Sequence, residues 1–211
     1  MNQIDGQAYV WVPPGVFTMG CSSGDLACGP YETPAHLVQI TRGFWIGQTK
    51  VTRDAWSRNA LLHKLGSADE VAPDNGLSDR VDDKSILVKI TDAEHFCQTV
   101  GLRLPTEAEW EYSARNGIGT PVSSEAFKDT WGLSGLLNGR AEWVSDRFTL
   151  YFPNPAKDPI GPRSGDVRTL RGDPDAESET VRASSRDALD LERSKEFDRA
   201  AFRCAGALPS Q

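Results

Sequence analysis

No stretch of this chain approaches the ~20 consecutive apolar residues that a membrane-spanning helix requires, so insertion into a bilayer is not expected. A surplus of base is missing too: 23 Lys and Arg stand against 30 Asp and Glu, a formal net charge of -7. That balance argues against nucleic acid as a partner, because phosphate-backbone binding needs a cationic face, and against docking on an anionic membrane. Histidine is scarce. His36, His63 and His95 lie far apart without metal-ligand spacing, and no Ser-His-Asp or Cys-His signature is present. None of the four cysteines, Cys21, Cys28, Cys97 and Cys204, forms a CxxC pair, which disfavours a zinc ribbon or a thioredoxin-type site. The opening Met1-Asn2-Gln3-Ile4-Asp5 has neither a basic nor an apolar leader region, so the protein stays inside the cell or its export signal is absent from this sequence.

What is present suits one α+β domain over residues 1–211, low in regular structure and rich in loops. At this length roughly 70% of the unfolded chain's surface can be buried without help from a metal, and nineteen Gly with thirteen Pro imply short elements joined by many turns. Residues 8–19 read as strand, turn, strand, broken at Pro13-Pro14-Gly15, and His36 to Ile46 reads as a further strand. Thr52 to Leu65 carries apolar residues at helical spacing, and 66–84 reads as a long polar excursion. Thr91-Asp92-Ala93-Glu94 and Thr106-Glu107-Ala108-Glu109 both match the capping box. The first helix should stop at Gly101 and the second near Gly117. Short strands are expected around Glu142–Ser145, Val167–Arg171 and Ala201–Ala205. The acids Glu107, Glu109 and Glu111 are explained by the cap and the helix macrodipole, with Trp110 and Tyr112 in the core. Cys21 and Cys28 flank a Gly- and Ser-rich loop, where spacing alone allows either a local disulfide or two free thiols.

Several stretches, in order along nearly the whole chain, resemble the formylglycine-generating-enzyme superfamily. They are Val12-Pro13-Pro14-Gly15-Val16-Phe17-Thr18-Met19-Gly20, Glu32-Thr33-Pro34-Ala35-His36, Gly101-Leu102-Arg103-Leu104-Pro105-Thr106-Glu107-Ala108-Glu109-Trp110, Asn138-Gly139-Arg140-Ala141-Glu142-Trp143, Leu170-Arg171-Gly172 and Ala201-Phe202-Arg203-Cys204. The resemblance implies a C-type-lectin-like fold and a Cys97–Cys204 disulfide. A second bridge known in some members would fall at Ala114 and Ala183, where both partners are missing. Loss of one pair whole and retention of the other favours an oxidising compartment (periplasm, envelope or outside) and a Cys21–Cys28 disulfide.

In active members two cysteines hold a copper ion, and the corresponding positions here are about Asp173 and Ser178. Oxygen ligands do not suit a soft cuprous ion, so copper and the oxidase activity are not expected. Calcium is the remaining candidate cofactor: the resemblance puts one Ca²⁺ at Glu142 with carbonyls around Asn138 and Arg140, although the upstream ligand position is Gly135. The alternative for Glu142 is a structural hydrogen bond or ion pair. With catalysis disfavoured, the expected function is a non-catalytic binding or assembly module of the cell envelope. Its partner would be a protein or other macromolecular ligand met by the loops of 171–202, through Asp173, Asp175, Glu177, Glu179, Arg182, Arg186 and Asp187. The competing expectation is an enzyme with an unrecognised site, such as a maturation factor lacking the cysteine pair.

Overall fold

The computed structural model describes residues 2–63, 85–117, 131–137, 140–172, 182–192 and 199–207, the side chains of 60–63 excepted. Strands β1 (Tyr9–Val12) and β2 (Gly15–Met19) flank the Pro13-Pro14 break, because proline cannot donate to a ladder and fixes its own φ. The stretch expected as one strand is two, β3 (His36–Ile40) and β4 (Phe44–Gly47). The chain turns between them at Thr41-Arg42-Gly43, and a Cβ on Gly43 would fall 2.3 Å from the Trp11 ring. Next come helix α1 (Arg53–His63), the two-residue strand β5 (Val88–Lys89), helix α2 (Ile90–Thr99) and helix α3 (Glu107–Ala114). The remaining strands are β6 (Glu142–Arg147), β7 (Ala156–Lys157), β8 (Val167–Arg171), β9 (Arg186–Asp190), β10 (Arg199–Phe202) and β11 (Ala205–Gly206).

The two capping-box motifs fare differently. At α3 both bonds form: Thr106 Oγ1 accepts from the Glu109 N–H and the Glu109 carboxylate accepts from the Thr106 N–H. Helix α2 begins earlier than expected, at Ile90, with Lys89 as N-cap and no side-chain cap bond. The buried Ile90 anchors that first turn against the core, and tertiary burial outweighs the local cap. The stop at Gly101 stands, with φ at 76°.

Three sheets form, in the orders β1-β4-β11, β5-β10-β6-β8-β9 and β2-β3-β7. β10 runs parallel to β6, and β3 parallel to β7; the other neighbours are antiparallel. One core cluster gathers Trp56, Phe96, Trp143 and Phe202, with Trp56 stacked on Phe96 at 5.5 Å and Phe202 meeting Phe96 edge-on at 5.5 Å. The Cys97–Cys204 disulfide lies in this cluster and joins α2 to the residues after β10, while Cys21–Cys28 closes the loop after β2. A second cluster packs Phe17, Val38, Trp110, Tyr112, Leu133 and Leu136 around α3. Among the described residues no helix is long and apolar enough to cross a membrane.

Candidate functional site

Every residue of α3 is buried, so its acids cannot be explained by a solvated first turn alone. Glu109 serves the cap and also takes a two-point contact from Arg103 at 2.7 Å. Glu107 and Glu111 do something else. Arg171, at the end of β8 and fully buried, donates from Nη2 to Glu111 at 2.7 Å and from Nη1 to Glu107 at 3.1 Å. Arg186, at the start of β9, holds both oxygens of Glu107 at 2.6 and 2.9 Å. Arg115, one turn beyond Glu111, completes the set at 2.7 Å. Two carboxylates and three guanidiniums thus share one dry interior, where each charge is tolerable only because every neighbour is present. Burial pulls the Arg171 pKa down, but Glu111, Tyr151 and Glu107 outweigh it and hold the guanidinium charged.

Several of the remaining guanidinium N–H groups go to loop carbonyls, while Arg115 Nη1 donates to Ser22 Oγ and Arg171 Nε is buried without a partner. Arg171 donates to Ala183 O and Ser184 O, Arg115 to Gly20 O, and Arg186 to Tyr31 O and Thr149 O. Arg186 also lies against the Phe148 and Tyr151 rings, at 4.5 and 4.1 Å from their centroids. Outside this network Arg182 grips Glu32 through two bonds of 2.6 and 2.7 Å, Asp25 at 3.1 Å and the Cys28 sulfur at 3.3 Å. It thereby ties the disulfide loop to the start of 182–192. Burial pushes the Glu32 carboxyl up, but the bond from Arg182 with that from the Gly29 N–H brings it below the usual carboxylate range.

The segments so fixed carry exposed apolar side chains. Leu26 is 100% exposed, Tyr31 40%, Leu150 56% and Phe152 68%. Tyr31 packs edge-on against Phe148 at 4.9 Å. Ile4, Trp11, Val16, Leu37 and Ile160 are exposed as well; what sets these four apart as a rim is their place on the segments that Arg182 and Arg186 hold.

The residues singled out by sequence divide as follows. Arg182 sits on this rim, and Asp187 is half-buried on β9. Arg186 is a correction: its side chain is wholly buried, because β9 pairs with β8 and turns it inward onto Glu107. The segment 171–202 is accordingly not loop throughout. Asp173, Asp175, Glu177, Glu179 and Asn138 lie outside the described residues. Sequence reasoning missed Leu150 and Phe152, though the alternation Phe148, Leu150, Phe152 was a readable signal; it looks like a strand and is irregular chain instead. His36 is buried against Tyr151 and His95 is exposed.

At Glu142 the structure shows an ion pair. Arg203 donates from Nε to one carboxylate oxygen at 2.7 Å and from Nη2 to the other at 2.8 Å. The Lys50 ammonium lies 4.0 Å from the same carboxylate and donates to Gly135 O at 2.6 Å. Arg140 is half-buried. These donors do not fit a calcium ion, which takes six to eight oxygens at 2.3–2.6 Å: the carboxylate and the nearest carbonyl already face cations of the chain. Among the described residues no group of three or more His, Cys, Asp or Glu is placed to hold a metal.

One acid departs upward from its ordinary range. Burial, with the Glu107 charge beside it, raises the Asp146 pKa to about 6, although the Glu107 and Gly161 N–H groups and the Ser145 hydroxyl all donate to it. A cleft of about 450 Å³ lies nearby, lined by Ser145, Arg103, Glu109 and Asp158, but Asp146 is not part of its wall. The raised value has a consequence for stability. A folded pKa of about 6 against an unfolded value of 3.8 means the native state binds this proton more tightly. Its contribution is therefore complete below pH 3.8 and lost as pH rises to about 6, amounting to about 3 kcal/mol. Urea unfolding of the parent and of Asp146→Asn should show the deficit of the variant shrinking by that order between pH 4 and pH 7; a constant difference would contradict it.

A family model described as "Sulfatase-modifying factor enzyme 1-like domain" matches residues 1–130. The chain is 27% identical to the formylglycine-generating enzyme of Streptomyces coelicolor, over 77% of each chain. It is 28% identical to that of Bos taurus over 47% of this chain, which spans 37% of the bovine protein. Among solved structures, PvdO from Pseudomonas aeruginosa superposes with a TM-score of 0.75 at 19% identity, covering 97% of this chain and 95% of its own. Treponema denticola variable protein 1 gives 0.67 at 18% identity, covering 95% of each chain. At such identities the superpositions speak to the fold alone.

Proposed function

This chain belongs to the sulfatase-modifying factor enzyme 1-like family, with its C-type-lectin-like fold, and we propose that it serves that family as a binding or assembly module in an oxidising compartment such as the cell envelope. The observation that carries the reading is that Leu26, Tyr31, Leu150 and Phe152, the rim, are exposed on segments anchored at the Asp25 carboxylate by Arg182 and at the Tyr31 and Thr149 carbonyls by Arg186. A rigid apolar rim can bind without the cost of ordering itself first. The cysteines support the same conclusion from the other side: the chain has four, and both disulfides together use all of them. No thiolate is left to hold cuprous copper. The raised acid, Asp146, lies outside the wall of the 450 Å³ cleft, so it lends the enzymatic alternative little. The partner is a protein with an apolar contact surface, met by the rim together with the acidic stretch from Asp173 to Glu179.

The test is crosslinking capture from an envelope extract with the parent, with Leu150→Ser/Phe152→Ser, and with alanines at Asp173, Asp175, Glu177 and Glu179. A discrete partner held by the parent should fall about tenfold or more with the rim variant, at an unchanged melting temperature, because both side chains are exposed. Equal capture by parent and rim variant would overturn the proposal. So would conversion of a substrate-peptide cysteine to formylglycine by the copper-treated parent.

A further inference from the structure

We infer that Lys50 and Arg203 together take the place of a divalent cation at the turn before β6, so that this member is built to hold that turn without metal. Lysine is almost never buried unless paired, yet Lys50 is 5% exposed, at the end of the Gln48-Thr49-Lys50 turn that follows β4. Its ammonium points at an oxygen cluster. Gly135 O lies at 2.6 Å and a Glu142 oxygen at 4.0 Å. Arg203, itself fully buried, covers the other side. It holds both Glu142 oxygens and donates to Ser134 O at 3.1 Å, to Gly47 O at 3.0 Å and to Gln48 O at 3.3 Å. The Ser134 N–H donates to Gln48 O at 2.8 Å and Gln48 Nε2 to Gly132 O at 2.8 Å, which closes the connection between the two turns.

The chemistry of this cluster is that of a hard cation's cage: one buried carboxylate with converging backbone carbonyls. It has the charge such a cage wants, supplied by two side chains. An ammonium and a guanidinium carry two positive charges between them, as Ca²⁺ does, and both are held by the chain rather than drawn from solution. Gly135 has a φ of 77° and offers the cluster its backbone carbonyl alone. An incoming Ca²⁺ would meet an ammonium already seated on its carbonyl and a carboxylate with both oxygens engaged. Like charges at that separation repel strongly where water is excluded.

The expected result for the purified parent is no saturable heat on titration with CaCl₂, and melting temperatures in EDTA and in millimolar Ca²⁺ that agree within about 1 °C. Saturable one-to-one binding accompanied by a rise in melting temperature would overturn the inference. Lys50→Ala removes the ammonium from Gly135 O while Arg203 stays on Glu142, whose oxygens keep lone pairs for a cation; its melting temperature should fall and then be raised by millimolar Ca²⁺ by about 3 °C or more, a response the parent lacks. A folded Lys50→Ala indifferent to Ca²⁺ would equally overturn it, since a lysine that merely packs gives no such rescue. Neither measurement involves the rim, so their outcome is separate from that of the capture experiment.

Discussion

Replacing Arg171 by methionine should cost about 3–5 kcal/mol, enough to leave the domain marginal at 37 °C. The size of the effect comes from what is left behind. Arg171 is fully buried; without it Glu111 and Glu107 each lose one of two arginines, Glu111 keeping Arg115 and Glu107 keeping Arg186, in an interior closed to solvent. The carbonyls of Ala183 and Ser184 lose their donor in the same step. Arg171→Lys should fail for a different reason, because one ammonium cannot reach two carboxylates and two carbonyls at once. Urea unfolding is the measurement, and the double variant Arg171→Met/Glu111→Leu is the control. Because Glu111→Leu also takes away the carboxylate that buried Arg115 holds at 2.7 Å, the double variant should recover nothing and be at least as unstable as the single one; a recovery would show that Arg115 does not depend on Glu111. A single-variant cost below about 1 kcal/mol would show that the network is not closed to water.

The second large effect concerns the two disulfides, which differ in what they constrain. Cys97 and Cys204 are 107 positions apart, Cys21 and Cys28 only 7. In the chain-entropy model the long closure is worth about 5 kcal/mol and the short one about 2 kcal/mol. The paired substitution Cys97→Ala/Cys204→Ala also opens space in the cluster around Phe96 and Phe202, where both sulfurs are essentially unexposed. Its cost should exceed that of Cys21→Ala/Cys28→Ala by at least about 2 kcal/mol in urea. Mild reductant should open Cys21–Cys28 first, since that bridge is half-buried in a surface loop. Loss of the core bridge ahead of the loop bridge, followed by mass spectrometry, would refute this ordering.

Much of the scaffold was legible because it rests on local chemistry. The Thr106-to-Glu109 box, the Pro13-Pro14 break and the stop at Gly101 depend on neighbours in sequence, and all three are where sequence puts them. The strand Val167–Arg171 was likewise readable from its β-branched and apolar content. What local reasoning could not see was the partner across the fold. Nothing near Glu107 says that Arg186, 79 positions away, will claim it. A cap and a macrodipole were therefore adequate for Glu109 and insufficient for Glu107 and Glu111. The same blindness made Arg186 look like a surface residue, since a lone arginine among acids reads as solvated until its strand is paired. The short strands β5 and β7 escaped because two residues carry no period. The family resemblance supplied the Cys97–Cys204 pairing that spacing alone left open.

The sheet order β1-β4-β11 also bears on how the molecule is made. β4 forms its ladder with the early strand β1 on one side and with Ala205 and Gly206 on the other. Gly47 accepts from Arg203, 156 positions later. During synthesis the first sheet thus waits, with one edge of β4 bare, until almost the whole described chain has left the ribosome. Closure by so distant a strand is slow, and a bare apolar edge invites pairing with other chains meanwhile. The nascent protein should therefore depend on a holding chaperone, or on being kept unfolded, until residues 199–206 arrive. A ribosome-stalled chain ending before Arg199 should remain protease-sensitive throughout rather than acquire a resistant N-terminal half.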